Sequence, residues 1–168
     1  GVTILEGILN ARAALDRTLA ECDAAICVLG PRTRGHPSFC SAATAAIVNA
    51  MRELNISRLI CQTGAMIGPW RDNRTLPFEM MARLFARSSS QEAEDRQRQE
   101  TVVRESGLAW TLVKPPRLTD APRRGPIQAG PLVRVGMLSH ISRLDLAEFL
   151  LDEIAQPRFV GQVVFVRT

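Results

Sequence analysis

The sequence contains a continuously apolar run, Ala24-Ala25-Ile26-Cys27-Val28-Leu29, that ends at Gly30-Pro31. An unbroken apolar run of this length is typical of a strand that is covered on both faces, as in a parallel sheet. Two further strands are predicted at residues 57–63 and 110–113, and they likewise end at a glycine or at a pair of prolines. The sequence therefore predicts a sheet built mainly from parallel strands.

Segments with helical spacing of apolar residues separate these runs. The predicted helices cover residues 11–20, 41–54, 78–87, 90–105 and 142–155, and shorter strands are predicted at residues 2–5, 132–135 and 163–166. Ser38 or Ser41 is the expected cap of the second helix, and Ser142 with Asp145 resembles a capping box. Residues 117–131 are expected to form a loop or lid. This alternation predicts an α/β, three-layer, Rossmann-like fold with helices on both faces of the sheet, in one domain of residues 1–168.

The length of 168 residues suits one domain, and the composition, 46% apolar and 23% charged, is that of a globular protein. No apolar run is long enough to span a membrane, and residues 1–20 lack a signal-peptide pattern. The four cysteines show no C-x-x-C spacing, which favours reduced thiols in the cytoplasm. We therefore expect a soluble, cytoplasmic protein that does not bind membranes.

Basic residues outnumber acidic residues by 21 to 17, and Lys114 is the only lysine. The arginines are scattered rather than grouped in a tract, so no nucleic-acid partner is expected. His36 and His140 are the only histidines, which argues against a histidine-based metal site, and no metal is predicted. Tyrosine is absent from the chain.

Ligands of open parallel sheets collect beyond the carboxyl ends of the strands. Three such ends can be recognised, at residues 29–32, 62–65 and 114–117, and each supplies small residues, backbone amides or a cationic side chain. Taken singly, each end is explained by glycine and proline terminating a strand. Three ends of this kind on consecutive strands instead favour a shared crevice.

Two stretches resemble a known family. Residues 104–116 read Arg-Glu-Ser-Gly-Leu-Ala-Trp-Thr-Leu-Val-Lys-Pro-Pro, and residues 141–147 read Ile-Ser-Arg-Leu-Asp-Leu-Ala. Together with the turn at residues 29–32, they resemble atypical short-chain dehydrogenases/reductases, in the branch of the NmrA-like proteins and the biliverdin reductase B/flavin reductase group. The resemblance implies NADP or NAD as cofactor and reduction of a flavin, a quinone or a similar planar small molecule. The cofactor-binding residues that it implies are Leu29, Gly30, Pro31, Arg32, Gln62, Thr63, Gly64, Pro115, Pro116 and Arg117.

The chain departs from this family in three ways. No G-x-x-G-x-x-G motif is present, and residue 1 corresponds to the third strand of the family, so the expectation is a fold that lacks its first βαβ unit or a fragment of a longer protein. The tyrosine and lysine of the wider superfamily are replaced by Glu92 and Arg96, and Arg96 is expected to be solvated. The serine and histidine of the flavin reductase group are replaced by Gly64 and Arg117, which leaves Thr63 and Arg117 as the catalytic candidates.

Two functions remain open at this point. The first is an NAD(P)H-dependent reductase, and the second is a non-catalytic, NAD(P)-sensing or regulatory protein on the same scaffold. Six apolar residues after the middle strand, which are Met66, Trp70, Phe78, Met80, Met81 and Phe85, either wall an acceptor pocket, form a subunit contact or pack in the core. A strand edge left unpaired at residues 24–29 would be covered either by residues 2–5 or by a second chain, and the second route favours a homodimer. A hydrolytic set of Ser139, His140 and Asp145 is not expected.

Overall fold

A computed structural model describes residues 12–30, 38–122 and 125–168. The helices are α1 (Arg12–Leu19), α2 (Phe39–Glu53), α3 (Leu76–Ser88), α4 (Ser90–Arg104) and α5 (Arg143–Ala155). The strands are β1 (Ala24–Cys27), β2 (Arg58–Gln62), β3 (Ala109–Lys114), β4 (Arg117–Thr119), β5 (Gln128–Gly130), β6 (His140–Ser142) and β7 (Gln162–Arg167). A 3-10 turn covers Arg71–Asn73.

Five of the strands form one sheet in the order β1-β2-β3-β7-β5. The first four are parallel, with Cys27 beside Cys61 and Lys114 beside Phe165, and β5 pairs antiparallel with β7 at the edge. Strands β4 and β6 form a separate parallel pair. The mostly parallel sheet confirms the predicted fold class.

The strands send alternate side chains into two apolar cores, one on each face of the sheet. Leu59 and Cys61 of β2 point into the core that holds Leu15 of α1 and Met51 of α2. Ile60 points to the opposite face and packs in the core that contains the side chains of α5. The period-2 alternation of strands therefore produces the predicted three layers, with helices on both faces.

Strand β1 is less buried than strand β2. Within the residues that the structure describes, β1 pairs with β2 alone, and three of its four residues are half-buried. Four of the five residues of β2, in contrast, are buried. The prediction of a strand covered on both faces, which was made for residues 24–29, is therefore wrong for β1. The strand proposed for residues 2–5 lies outside the described residues.

Residues 117–135 are more ordered than predicted. The expected loop at residues 117–131 contains β4 and β5, while the expected strand at residues 132–135 is absent. Val135 makes only an isolated bridge with Arg74. The side-chain amide of Asn73 donates to the carbonyls of Pro131 and Val133, at 2.7 and 3.0 Å, and thus occupies the acceptors that a neighbouring strand would need.

Two helix starts, those of α2 and α5, are capped by side-chain oxygens. Ser142 accepts a hydrogen bond from the backbone N–H of Asp145 at 3.0 Å, which confirms the predicted cap of α5. The cap expected at Ser38 is wrong, because that side chain makes no cap bond. Asp95 of α4 instead accepts from the amides of Cys40 and Ser41, so one helix caps the next. Among the described residues, no helix is both long enough and apolar enough to cross a membrane.

Candidate functional site

A cavity of about 440 Å³ lies at the carboxyl edge of the sheet. It is bounded by the ends of β2 and β3, by α3 and α4, and by the segment before β6. The lining residues are Gln62, Thr63, Gly64, Ala65, Met66, Ile67, Phe78, Met81, Phe85, Glu92, Arg96, Pro115, Pro116, Arg117, Leu118, Met137 and Ser139. Two of the three predicted strand ends therefore meet in one space.

Backbone hydrogen bonds hold these two strand ends together. Thr63 N–H donates to the carbonyl of Val113 at 3.0 Å, and Ala65 N–H donates to that of Pro115 at 2.9 Å. These bonds extend the pairing of β2 with β3 past the strand ends. Gly64 lies in the floor that results, and a Cβ placed there would find its nearest neighbour, Ile67 Cγ1, 4.0 Å away. The protein's own packing does not require glycine here, and the missing side chain leaves room in the cavity.

The third predicted strand end reaches the cavity indirectly. A Cβ at Gly30 would lie 3.5 Å from Nη2 of Arg96, which itself lines the cavity. Leu29 is half-buried and packs against the apolar core. Pro31 and Arg32 lie outside the described residues. Gly30 therefore lies beside the cavity, on the side of β1.

A buried polar network lies directly beneath the floor. The ammonium of Lys114, whose side chain has no solvent exposure, pairs with Oε1 of Glu100 and donates to Thr63 Oγ1 at 3.3 Å. Thr63 Oγ1 donates to the same carboxylate at 2.8 Å, and Trp70 Nε1 donates to its other oxygen at 3.3 Å. Of these four residues, Thr63 alone also lines the cavity. Thr63 is thus the residue through which the network meets the cavity.

Burial changes the acid–base behaviour of the lysine. Loss of solvent around the ammonium lowers the pKa of Lys114 from its ordinary 10.5 to about 8, and the adjacent Glu100 carboxylate opposes that effect. The Nζ atom also lies 5.8 Å from the centroid of the Trp70 ring. An amine with a pKa near neutrality can both release and accept a proton under ordinary conditions.

Glu92 and Arg96 both face the cavity from α4. They are four residues apart, which places them on the same face of the helix. Arg96 is half-buried, and its Nη1 donates to Gln99 Oε1 at 3.1 Å. The expectation of a solvated Arg96 is therefore wrong. The hydrogen bond to Gln99 and the cavity wall orient the Arg96 side chain. The polar sequence of α4 alone predicts that this side chain is free in solvent.

Gln99 connects Arg96 to a pair of thiols. Its Nε2 donates to Thr44 Oγ1 at 3.0 Å and to Cys61 Sγ at 3.5 Å. Cys27 lies beside Cys61 on the neighbouring strand, and the hydrogen bond between the two lowers the pKa of Cys27 to about 6 and raises that of Cys61. All four cysteines are free thiols, and Cys22 alone is exposed.

The apolar group predicted around the loop after the middle strand divides in two. Met66, Phe78, Met81 and Phe85 line the cavity. Met80 is exposed on the opposite face of α3, and Trp70 contacts the edge of Phe165 with the ring centroids 6.5 Å apart. Four of the six residues therefore form a continuous apolar wall.

The remaining candidates are settled by their contacts. Arg117 is exposed in the wall of the cavity and makes no ion pair with the residues that the structure describes. Ser139 accepts from the amide of Gly136, while the ring of His140 contacts the carbonyl of Leu138, and Asp145 bonds to Ser142. The three residues of the hydrolytic set thus each bond elsewhere, as expected.

Comparison with known proteins identifies the family. The sequence pattern of the NAD(P)H-binding family matches residues 1–157. The chain belongs to this NAD(P)H-binding family. The match agrees with the resemblance to atypical short-chain dehydrogenases/reductases, and it gives NADP or NAD as the cofactor.

Solved structures show the same fold at low sequence identity. A short-chain dehydrogenase/reductase from Veillonella parvula in complex with NADP is 18% identical, with a TM-score of 0.77 over 98% of this chain and 71% of that chain. A putative exported protein from Burkholderia pseudomallei is 21% identical, with a TM-score of 0.76 over 96% and 79%. ChuY from Escherichia coli O157:H7, described as an anaerobillin reductase, is 16% identical, with a TM-score of 0.74 over 95% and 72%.

Sequence reasoning missed the network beneath the floor. The sequence marks Lys114 only as the single lysine and as part of a strand end, and it gives no mark to Glu100. The available signal was a single lysine at the end of a strand whose preceding residues are apolar. A charge in such a position requires a buried partner, but the sequence does not say which carboxylate provides it.

Proposed function

We propose that this protein is an NAD(P)H-dependent reductase of the atypical short-chain type that acts on a flavin, a quinone or a similar planar acceptor. The observation that carries the proposal is the cavity at the strand ends, which has apolar walls and a floor left open by Gly64. Its volume of about 440 Å³ lies within the ~300–1,000 Å³ typical of small-molecule sites. The anaerobillin reductase activity of one structural neighbour supports a planar acceptor.

The residues present fit the cofactor along three strand ends. In this proposal Leu29 and Gly30, with Pro31 and Arg32, border the adenosine and the phosphates, and Arg96 adds a cation on that side. Gln62, Thr63 and Gly64 lie under the centre of the cofactor. Pro115, Pro116 and Arg117 lie near the nicotinamide. When bound, the cofactor supplies a hydride.

We assign Thr63 as the residue that donates the proton in the reduction. Reducing a carbonyl or an imine takes one hydride and one proton, and the proton goes to the oxygen or the nitrogen. Thr63 lines the cavity, and in this proposal its hydroxyl gives a proton to the acceptor, while Lys114 Nζ, 3.3 Å from that hydroxyl, replaces the proton. Glu100 positions both groups. Thr63 and Lys114 thus provide a hydroxyl and an amine in a chain that lacks the tyrosine of the wider superfamily.

Substitution of Gly64 by leucine tests the site directly. Because a Cβ at Gly64 meets nothing closer than 4.0 Å, the larger side chain fills the cavity rather than straining the backbone. We expect NADPH or NADH to stabilise the wild-type protein by about 2.7 kcal/mol at 100 times the dissociation constant, and G64L to lose this stabilisation with its own melting temperature nearly unchanged. Oxidation of NADPH by a flavin or a quinone should also be lost. A wild-type protein that neither binds the nucleotides nor oxidises them rejects the proposal.

A specific observation favours a second function, a non-catalytic NAD(P)-sensing or regulatory protein of the NmrA-like kind. In the structure the Thr63 hydroxyl already donates to Glu100, so its proton is committed within the network. Tight nucleotide binding without turnover of any flavin or quinone would favour this second function. Stabilisation of the fold by nucleotide is expected in both cases, and turnover separates them.

We also propose that residues 1–168 act as one domain in a homodimer in the cytoplasm. The edge of β1, which pairs on one side only within the described residues, supports the dimer, and the free thiols support a reducing compartment. Analytical ultracentrifugation should give about twice the chain mass of 18.5 kDa. A monomer at all concentrations would contradict the dimer.

A further inference from the structure

Helix α3 carries apolar side chains on its outer face as well as on its inner face. Three apolar residues of the inner face line the cavity at the strand ends: Phe78, Met81 and Phe85. On the outer face, Leu76, Met80 and Leu84 are 69%, 59% and 62% exposed. They are four residues apart, which places them in one row along the helix. A helix that is apolar on two opposite sides is normally covered on both.

The loop before β6 extends this exposed row. Met137 and Leu138 are both exposed, and Leu138 lines a second cavity together with Pro77 from the start of α3. The amide of Thr75 donates to the carbonyl of Val135 at 2.9 Å, which holds the loop against the start of the helix. We call the side chains that form this surface the apolar patch: Leu76, Met80, Leu84, Met137 and Leu138.

The apolar patch projects from the protein. More than half of the surface of each member is exposed, and for Leu138 the exposed fraction is 88%. A single exposed leucine is ordinary, but a contiguous apolar group of this kind marks an interaction surface. Side chains that stand clear of their neighbours offer no groove to a partner. They suit a medium that surrounds them, as the boundary between the headgroups and acyl chains of a bilayer does.

The free charges beside the patch are positive. Glu79 is the single carboxylate of α3, and it is buried and paired with two arginines. Arg87, in the last turn, is exposed and makes no ion pair with another side chain of the described chain. Arg134 lines the second cavity beside Leu138, and its Nη2 donates to a backbone carbonyl at 3.2 Å. The patch therefore combines protruding apolar groups with cations.

This distribution of charge favours an anionic cover. A second copy of the chain would bring the same arginines, so that like charges would meet. Anionic lipid headgroups instead attract them, and each arginine near such a surface strengthens binding about fivefold (~1 kcal/mol). Leucine and methionine on one face of a helix, with arginines beside them, are typical of a helix that lies in a bilayer interface.

The apolar patch also borders the mouth of the cavity at the strand ends. Met137 belongs to the patch and lines that cavity, so it lies where the cavity opens to the surface. On α3, Leu84 of the patch is followed directly by Phe85 of the cavity wall. A molecule dissolved in hydrocarbon can thus pass from the patch into the cavity along apolar side chains.

We propose that the apolar patch docks the protein on the surface of an anionic bilayer, and that the acceptor is a lipid-soluble quinone that enters the cavity from this bilayer. The docking does not depend on catalysis, whereas the quinone rests on the proposed reductase function. Reduction of the quinone takes the hydride of NAD(P)H and one proton, and it yields a hydroquinone and NAD(P)⁺. The expectation of no membrane partner came from the lack of a spanning run, and a surface contact requires no such run.

Flotation with vesicles tests the docking without any cofactor. We expect wild type to bind vesicles of phosphatidylcholine mixed with phosphatidylglycerol, and to bind phosphatidylcholine alone about tenfold more weakly. The double variant L84Q/L138Q removes two protruding leucines and should weaken binding to the mixed vesicles about tenfold or more. R87Q removes one cation and should weaken it about fivefold.

Matched controls carry the same changes away from the patch. Leu151→Gln replaces an exposed leucine on α5, on the opposite face of the sheet. Arg104→Gln removes an exposed charge at the end of α4, before β3. Both should bind the mixed vesicles as wild type does. Because all the substituted side chains are exposed, every variant should keep a melting temperature close to that of wild type.

Two quinones with the same ring test the route of the acceptor. One carries a long alkyl tail and is dissolved in the mixed vesicles, and the other lacks the tail and is dissolved in water. L84Q/L138Q should lower kcat/KM for the tailed quinone by about the factor that it loses in vesicle binding. The tailless quinone should be reduced as before, since neither Leu84 nor Leu138 lines the cavity.

The outcomes separate docking, route and reductase. No binding of wild type to the mixed vesicles, equal binding to phosphatidylcholine alone, or equal binding by L84Q/L138Q overturns the docking. A wild-type dimer that L84Q/L138Q converts to a monomer, without vesicle binding, assigns the patch to a subunit contact and also overturns it. Patch-dependent vesicle binding without reduction of either quinone supports the docking and rejects both the quinone and the reductase. An equal effect of L84Q/L138Q on both quinones overturns the membrane route while the reductase stands.

Discussion

Replacing Lys114 by methionine breaks the buried network at a single point. Methionine keeps the length of the apolar stem but removes the ammonium that pairs with Glu100. Because the lysine side chain is fully buried, no water can replace it. The carboxylate of Glu100 then keeps only the hydrogen bonds from Thr63 Oγ1 and Trp70 Nε1, at 2.8 and 3.3 Å.

The expected loss of stability follows from this geometry. Removing one partner of a buried ion pair costs about 3–5 kcal/mol. The two remaining donors of Glu100 compensate in part, so we expect the lower end, about 3 kcal/mol. For a chain of this length, 1 kcal/mol corresponds to roughly 2–4 °C in melting temperature, which gives a decrease of about 6–12 °C.

A set of variants followed by circular dichroism at neutral pH tests this value. Adding Glu100→Gln to Lys114→Met removes the unpaired charge and should recover most of the lost stability. The matched control is Arg143→Met, which breaks the exposed pair with Asp120 and should cost less than about 1 kcal/mol. A loss below 1 kcal/mol in K114M, or a double variant as unstable as K114M, would show that the network is not a paired unit.

The pH dependence has a defined sign. The pKa of Lys114 is about 8 in the folded protein and its ordinary 10.5 in the unfolded chain. Between these values the unfolded chain binds more protons, so the contribution of this group to stability increases as the pH rises from 8 to 10.5. The unfolding free energy of wild type minus that of K114M isolates the group. A difference that stays flat or decreases across this range contradicts the assignment.

Three further predictions concern the surroundings of the cavity. Thr63→Val should lower kcat by about 10²–10⁴ with cofactor affinity little changed, as measured by steady-state kinetics and thermal shift; an unchanged kcat would remove Thr63 from the proton side. Asp95→Ala should destabilise the protein by about 1–2 kcal/mol, read from denaturant unfolding, because the amides at the start of α2 lose their acceptor; no loss would show that other groups cap this helix. A thiol reagent should label one cysteine, Cys22, rapidly in the native protein and all four after unfolding, and rapid labelling of further thiols would show that the sheet opens easily.

The sequence predicted the parallel sheet because the decisive information was local. The strand at residues 58–62 has a neighbouring strand on each side, and four of its five residues are buried although only residues 59–61 are apolar. Residues 24–29 are continuously apolar, but β1 lies at an edge within the described chain, so three of its residues remain half-buried. Strand order, which pattern alone does not contain, accounts for the difference.

The sequence predicted the part of the site that is formed by the ends of parallel strands. Thr63, Gly64, Pro115 and Pro116 come together because parallel strands end at one edge, which is a property of the fold class. The partners of Lys114 could not be predicted in the same way, since they lie 14 and 51 residues away and meet only through packing of α4 on the sheet.

Strand order also separates the two ligands that the site is proposed to bind. Neighbouring strands are about 4.8 Å apart, so β1 and β7, three steps apart in the order, are about 14 Å apart. Gly30 and Arg96 lie on the β1 side, and Arg167 lies at the end of β7. Cofactor phosphates on the β1 side and an acceptor on the β7 side would then occupy different parts of the sheet edge. Thr63 directly follows β2, and its N–H bonds to Val113 of β3. It therefore lies next to the strand end that is assigned to the nicotinamide, as a proton donor for the reduction requires.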